Sequence, residues 1–534
     1  MTTVAETIAH VLQANGVTVV FGLPGGETVE VLDALRRVGI RFVLAHSESS
    51  AAFMADAHAR LSGGVGVCLT TLGPGACNAV MGVAHAYLDR SPLLIITAQK
   101  PDHLLPGYTH QVLDLQVLFA PVTKGSFKVT SGNASSVTQA ALDLARGGRP
   151  GAVHLQVSNE DAGQEALAGR SSASTSTRAS TNTIGQASRI VGGARRPVVV
   201  VGLGLEPERP YAALRELAEA ANAPVVVTPK GKGALPDDHP LAAGVIGLTM
   251  RDPAYTLLDE ADCIIAVGFD VVELVKPWRQ DASLIWVASW ENRDPTLPAV
   301  AEIIGPITLT LDRLIAEHFS TDRDWGARRV AGCRAALAAL PLPDPAPGRL
   351  LPQQLLACLR AAASPETPLV VDVGSHKIFA SLAWPTLAPN RFLVSNGLSS
   401  MGYGLPGAIG ASLALPGQPV LCLTGDAGLA MALGDLALLA QAQLPVVVVV
   451  CNDSALDLIR SAQLRASKPI YGVEFTNPDF CALAGAFGIR ATRVATKDEC
   501  AVAVEEAFVS GAPWLIEAMI DPVGYPTTVT RRQP

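Results

Sequence analysis

Residues 419–454 read PVLCLTGDAGLAMALGDLALLAQAQLPVVVVVCNDS, and their pattern decides the fold. An apolar, strand-like run, PVLCLT, ends at Gly425-Asp426-Ala427-Gly428; MALGDLALLAQAQ has helical composition; a second apolar run, LPVVVVV, ends at Asn452-Asp453-Ser454. Strand, helix and strand in that order predict a right-handed crossover, which lays two parallel strands with their ends on one edge of a sheet. Asp453 follows Asp426 by 27 positions, the length such a unit uses up, so both carboxylates come to the C-terminal edge, where open parallel sheets bind ligands. Small residues at 425, 427 and 428 let backbone N–H groups approach a phosphate beside a helix N-terminus. A hard cation such as Mg2+ takes one or two carboxylates plus phosphate oxygens. Either aspartate alone could equally cap a helix. Their spacing, with strand, helix and strand between them, favours a metal–diphosphate site.

The same alternation runs outward in both directions. VTVVFG, RFVLAH, VGVCLTT, PLLIITA and AVHLQV punctuate helical stretches before residue 168; RPVVVVG, APVVVTP, CIIAVGF and SLIWVAS follow; PLVVDVG, RFLVSN and WLIEAMI complete the last block. The polar stretch RSSASTSTRASTNT (170–183) and the Pro-rich AALPLPDPAPGRLLP (roughly 339–352) read as linkers. The expected architecture is α/β: three doubly wound parallel-sheet domains over 1–168, 184–325 and 350–530.

Composition narrows the function class. The 534 residues are 49% hydrophobic and only 16% charged, so part of the apolar surface is expected to lie between subunits. A net charge of −8 and the lack of a long basic run argue against a nucleic-acid partner. The longest apolar run, Leu444 to Cys451, is too short to span a bilayer, and the N-terminus reads as an amphipathic helix rather than a signal peptide. Nine dispersed cysteines without a CxxC pair point to a reducing compartment, so a cytoplasmic oligomer is expected.

GDAG followed by LPVVVVVCNDS resembles the thiamine-diphosphate signature, a GDG or GDA followed some 27 residues on by NN; Asp453 stands where Asn is commoner. The first block resembles the pyrimidine-binding domain of acetolactate synthases: FGLPGGETVEVLDAL (21–35), LAHSESSAAFMADAHARLSG (44–63) and CLTTLGPGACNAV (68–80). In the third block, DVGSHKIFA (372–380) and SNGLSSMGYGLPGAIGASLA (395–414) resemble that family's diphosphate and glycine-rich elements. YTHQVLDLQVLFAPVTK (108–124) is similar to the FAD-independent, catabolic type.

The resemblance covers nearly the whole chain and implies a set of roles. Asp426, Asp453 and the main-chain oxygen of Ala455 would bind Mg2+. Thiamine diphosphate would be held by Leu23, Pro24, Pro74, Asn78, Gly374, Ser375, His376, Ser399, Gly425, Ala427 and Gly428, with Met401 wedged under the bent cofactor. Glu48 would hydrogen-bond the aminopyrimidine N1′ and so activate the thiazolium C2, work that suits a dry pocket; His110 and Gln111 would stand at the active-site mouth. The implied chemistry is decarboxylation of a 2-oxo acid to an enamine that adds to a second carbonyl substrate, or, as the alternative, is protonated by a non-ligating decarboxylase or related C–C lyase. The implied assembly is a homodimer or homotetramer with active sites at the dimer interface.

Some positions depart from the resembling enzymes. Ser47 replaces a histidine before Glu48, and Ala455-Leu456 replace bulkier residues. Glu27 stands where catabolic members often carry lysine, so either the substrate is not anionic or Glu27 points elsewhere. In the middle block, VVVVGLGLEPERP has a dinucleotide-like Gly202 and Gly204, but Pro207 breaks the fingerprint, which excludes a plain nicotinamide dehydrogenase. AVGFDVVELVKPW lacks the RFDDR-like element of FAD-binding relatives, leaving FAD the lesser expectation.

Overall fold

The computed structural model describes residues 2–107, 109–167, 181–248, 253–274, 281–316, 318–338 and 342–525. Residues 170–180 of the first expected linker, 339–341 of the second, and 275–278 of the AVGFDVVELVKPW element lie outside the described residues.

Three six-stranded parallel sheets make up the molecule. The first contains β1 (Val19–Leu23), β2 (Arg41–Leu44), β3 (Gly66–Thr70), β4 (Leu93–Gln99), β5 (Ser126–Lys128) and β6 (Ala152–Ser158) in the order β2-β1-β3-β4-β6-β5. The second contains β7 (Pro197–Val201), β8 (Val225–Val227), β9 (Ala242–Val245), β10 (Cys263–Val267), β11 (Ser283–Ala288) and β12 (Ala301–Ile304), ordered β12-β11-β10-β7-β8-β9. The third contains β13 (Leu369–Val371), β14 (Phe392–Val394), β15 (Val420–Gly425), β16 (Val446–Asn452), β17 (Arg490–Val494) and β18 (Trp514–Met519), ordered β14-β13-β15-β16-β18-β17. Central strands such as β4, β6, β7 and β16 are buried along their whole length, which is why they read as unbroken apolar runs instead of alternating ones.

In each sheet the chain leaves its first strand to one side and later returns on the other. That reversal opens a crevice beyond the strand ends. It falls between β1 and β3, between β7 and β10, and between β13 and β15.

The chain packs as two units, one built on 1–175, 397–418 and 430–446, the other on 176–396, 419–429 and 447–534. At the heart of the first lies the helix Glu48–Ser62, buried on nearly every side. It has few charges to solvate, as an internal helix requires. The helix Gly404–Ala414 crosses it closely because Gly410 has no side chain: a Cβ there would stand 2.2 Å from the Met54 carbonyl oxygen.

The stretch 431–443 departs from the sequence reading. Instead of one helix, two form, Asp426–Met431 and Asp435–Gln441. Gly434 lies between them, where a side chain would meet His46 Cβ at 3.3 Å. Among the described residues no helix is long and apolar enough to cross a membrane.

Candidate functional site

In the first unit, Ser47 is the extended residue before the helix and Glu48 is its first residue, so the Glu48 carboxyl sits at a helix N-terminus beyond the ends of β1 and β3. The packing of the helix leaves Glu48 only 6% exposed. Asn78, on the helix Pro74–Leu88, donates from Nδ2 to Glu48 Oε2 at 2.6 Å and to Ser47 Oγ at 3.3 Å. That helix begins at a sharp turn with Gly73 at φ +51°, a conformation that suits glycine. Gly75 gives the other carboxylate oxygen its room: a Cβ there would lie 3.0 Å from Glu48 Oε1 and 2.9 Å from Thr71 Cγ2.

The turn after β4 brings Gln111 to the same place. Its carbonyl would be 2.5 Å from a Cβ at Gly73. His110 is exposed beside it, as is Pro74 at the start of its helix, while Leu23 and Pro24 close the end of β1. Ser399, at φ +53°, and Met401 lie in a loop tied to this unit by Gly397 N–H, which donates to Asp89 Oδ1 at 2.5 Å. His85 bridges Asp89 and Asp56 at 3.3 and 3.1 Å, and Tyr403 Oη donates to Asp56 at 3.4 Å.

Glu27 is not an unopposed negative charge. Lys100 Nζ donates to its Oε1 at 2.9 Å and Thr71 Oγ1 to its Oε2 at 3.2 Å. Burial works to raise the Glu27 carboxyl, but the bonds from Lys100, the backbone and Thr71 hold it below its ordinary value.

In the second unit, Asp426 follows β15 and Asp453 follows the neighbouring β16, as the spacing predicts. Asp426 is 2% exposed; its Oδ1 accepts from Ala427 N at 2.8 Å, its Oδ2 from Ser454 N at 2.8 Å and Asn477 Nδ2 at 2.7 Å. Burial still raises its carboxyl above the ordinary value despite those donors. Asp453 accepts from Ala455 N at 3.2 Å, and burial, then the charges of Asp426 and Asp457, push its carboxyl up to about 7. A half-buried carboxylate whose ionisation is opposed by a buried neighbour is an arrangement a divalent cation relieves. Ala455, bridged to Glu474, stands next to this pair.

At the crevice between β13 and β15, Gly374 precedes the helix Ser375–Ala383. The His376 ring lies against Gly374 and Gly425, where Cβ atoms would approach it to 2.5 and 3.0 Å. Burial pushes this imidazole down to about 4, so it is neutral at ordinary pH, and its buried Nε2 has no hydrogen-bond partner. An orphaned donor or acceptor at a helix N-terminus fits a diphosphate. Ser375 Oγ donates to Asp457 Oδ2 at 2.5 Å, and both line a cavity of about 230 Å3 with Ser461, Leu464 and Tyr525. Gly428 packs on the Asp372 carboxylate, where a Cβ would lie 2.4 Å from Oδ2. Asn477, Asp457 and Lys100 were not singled out by sequence; none carries a motif of its own.

A second carboxylate group, Asp479 and Glu517 with Cys481, already holds a cation: Arg493 bonds Glu517 at 2.9 Å and Asp479 at 3.0 Å.

The middle sheet offers its glycines differently. Gly202 N donates to Val267 O, Leu203 N to Glu273 Oε2 at 2.8 Å, and Gly204 N to Gly268 O at 2.7 Å. A Cβ at Gly204 would stand 2.2 Å from the Trp290 ring. These glycines serve close chain packing, and that turn's donors are spent within the protein, so its residues do not fit a dinucleotide diphosphate.

Three family descriptions match the chain: Thiamine pyrophosphate enzyme, N-terminal TPP binding domain, over residues 2–118; the central domain over 184–314; and the C-terminal TPP binding domain over 372–518. The chain is similar to the probable acetolactate synthase large subunit of Methanocaldococcus jannaschii, at 31% identity over 97% of this chain and 92% of that one. It is also similar to the acetolactate synthase isozyme 3 large subunit of Escherichia coli K12, at 33% identity over 91% and 88%, and to the acetolactate synthase of Bacillus subtilis 168, at 30% over 97% and 93%.

Proposed function

The chain belongs to the thiamine pyrophosphate enzyme family and is acetolactate synthase-like along its length, and from that premise we propose that it is a carboligase that takes CO2 from one 2-oxo acid and joins the remaining acyl unit to a second carbonyl compound. Bound thiamine diphosphate supplies the electron sink for both halves of that reaction. Asp426, Asp453 and the carbonyl of Ala455 would hold Mg2+, and His376 with the opening N–H groups of Ser375–Ala383 would hold the diphosphate. Glu48 would keep a proton shared with the aminopyrimidine N1′; Asn78 fixes one of its oxygens and Gly75 makes room for the other. Met401 would lie under the cofactor, and His110 and Gln111 would orient substrate.

In the proposed assembly Glu48 of one subunit serves the cofactor held by Asp426 and Asp453 of its partner, in a homodimer or a pair of them. All nine cysteines are unpaired, which supports work in a reducing compartment such as the cytoplasm.

The observation that carries the proposal is the buried, Asn78-pinned Glu48 at a sheet crevice in a chain that is similar to an acetolactate synthase subunit over 97% of its length. The test is incubation with thiamine diphosphate, Mg2+ and a panel of 2-oxo acids, with and without aldehyde acceptors, followed by mass spectrometry. Coupled product is expected; CO2 and free aldehyde alone would replace the carboligase reading with that of a simple decarboxylase.

A further inference from the structure

The entry of the helix Glu48–Ser62 is held from two sides. A first helical turn leaves backbone N–H groups without intrahelical partners, and Ser47, the residue before this one, makes no side-chain cap. The residues after Glu48 tie the entry down instead. Ser49 Oγ donates to the Asn78 carbonyl, on the side where Asn78 already grips Glu48. Ser50 Oγ donates to Asp435 Oδ2 at 2.6 Å, and the backbone of His46 also hydrogen-bonds the Asp435 carboxylate. Asp435 therefore binds the chain two residues before Glu48 and two residues after it. It opens the short helix Asp435–Gln441, and Gly434 beside it lies so near that a Cβ there would stand 3.3 Å from His46 Cβ. Asp435 is only 2% exposed, and burial pushes its carboxyl up to about 6 in spite of Ser50 and His46. A buried carboxylate with so few donors costs folding energy that an apolar residue of similar size would not. What it holds explains its place in the fold better than stability does.

We infer that Asp435 is a positioning residue for the reaction: by holding Ser50 and the His46 backbone it fixes the rotation and height of the helix entry, and so aims the Glu48 carboxyl. This rests on the reading of Glu48 as the group that activates the cofactor. Successive helical residues project about 100° apart around the axis, so the bonds made at Ser49 and Ser50 pull in different directions. Asn78 alone supplies both contacts on its side, through its side chain to Glu48 and its carbonyl to Ser49. Two bonds to one residue leave the entry free to turn about them; the third, to a separate element, removes that freedom. The proposed grip on the diphosphate lies in other residues, so a loss of aim and a loss of cofactor affinity are separable.

The test is exchange of the cofactor's C2 proton for deuterium in protein saturated with thiamine diphosphate and Mg2+, with urea midpoints measured alongside. Asp435→Ala is expected to slow exchange about 10- to 100-fold while affinity for thiamine diphosphate changes only a few-fold. Ser50→Ala removes one hydroxyl and leaves the carboxylate in place; it should slow exchange about tenfold and serves where Asp435→Ala folds poorly. Asp435→Asn keeps an acceptor for Ser50 Oγ and should recover most of the rate. The deciding comparison uses a Glu48→Gln background. If Asp435 acts through Glu48, Asp435→Ala there slows exchange by less than about twofold more, yet lowers the urea midpoint as much as in the parent. Exchange within about twofold of the parent in both folded single variants, or the full loss repeated in the Glu48→Gln background, would overturn the assignment and leave Glu48 as the activating group. A parent protein that exchanges no faster than free cofactor would sink the Glu48 reading, and the assignment with it.

Discussion

Gly75→Ala is a one-methyl perturbation aimed at the proposed activating group. The new Cβ would stand 2.9 Å from Thr71 Cγ2 and 3.0 Å from Glu48 Oε1, well inside the ~3.5–4.0 Å at which carbon contacts become favourable. Thr71 has little room to retreat, since Gly25 already lies so close that a Cβ there would be 2.4 Å from Thr71 Oγ1. The Glu48 carboxylate must therefore yield by some tenths of an ångström, and it does so against the 2.6 Å bond that Asn78 makes to its other oxygen. A misplacement of ~1 Å at a reacting group costs on the order of 100-fold, and a fraction of it about tenfold. Exchange of the cofactor's C2 proton for deuterium, followed by NMR after acid quench, should slow by about 10- to 100-fold in this variant. Overpacking should lower stability by about 1–3 kcal/mol. Cofactor affinity should hold, because the proposed grip on the diphosphate lies in residues 374–376 and 425–455. Exchange at the wild-type rate would refute the claim that Gly75 sets the position of the working carboxylate.

Two further outcomes follow from the site. Asp453, raised to about 7 in the folded chain from ~4 when unfolded, binds a proton in the native state between those values. Its contribution to stability therefore falls as pH rises through that window, and Mg2+, which needs the carboxylate, should raise Tm more at about pH 8 than at about pH 6. Asp453→Asn should flatten that difference in a thermal melt; a Mg2+ effect independent of pH in the parent protein would count against the metal assignment. Separately, inactive Glu48→Gln and Asp426→Ala proteins, unfolded and refolded together in equal amounts, should regain about a quarter of full activity through mixed dimers with one intact site. No recovery in verified mixed dimers would contradict the shared-site assembly.

The fold was legible because strands buried on both faces must be apolar throughout, and the runs at 93–99, 197–201 and 446–452 announce themselves as such. The Asp426–Asp453 relation was legible for a similar reason: one crossover unit has a nearly fixed length. The break before Asp435 was not, and the residue that a side chain at 434 would meet, His46, lies nearly four hundred residues away in the chain. Asn477 and Lys100 lie 51 and 73 positions from the carboxylates they serve, and an isolated Asn or Lys carries no periodicity that would betray it. Glu27 looked like a misplaced charge only because its partner could not be seen. The Gly202–Gly204 turn shows the converse. Its composition suggested a phosphate cradle, while Gly268, Glu273 and Trp290, all distant in sequence, take up its donors and its space.

The proposed function requires that Glu48 switch on a cofactor that other residues hold. The direct measurement is C2 proton exchange in Glu48→Gln saturated with thiamine diphosphate and Mg2+, alongside the affinity for both. The prediction is exchange slower by roughly 100-fold or more with binding changed only a few-fold; exchange at the parent rate in the fully loaded variant would contradict it.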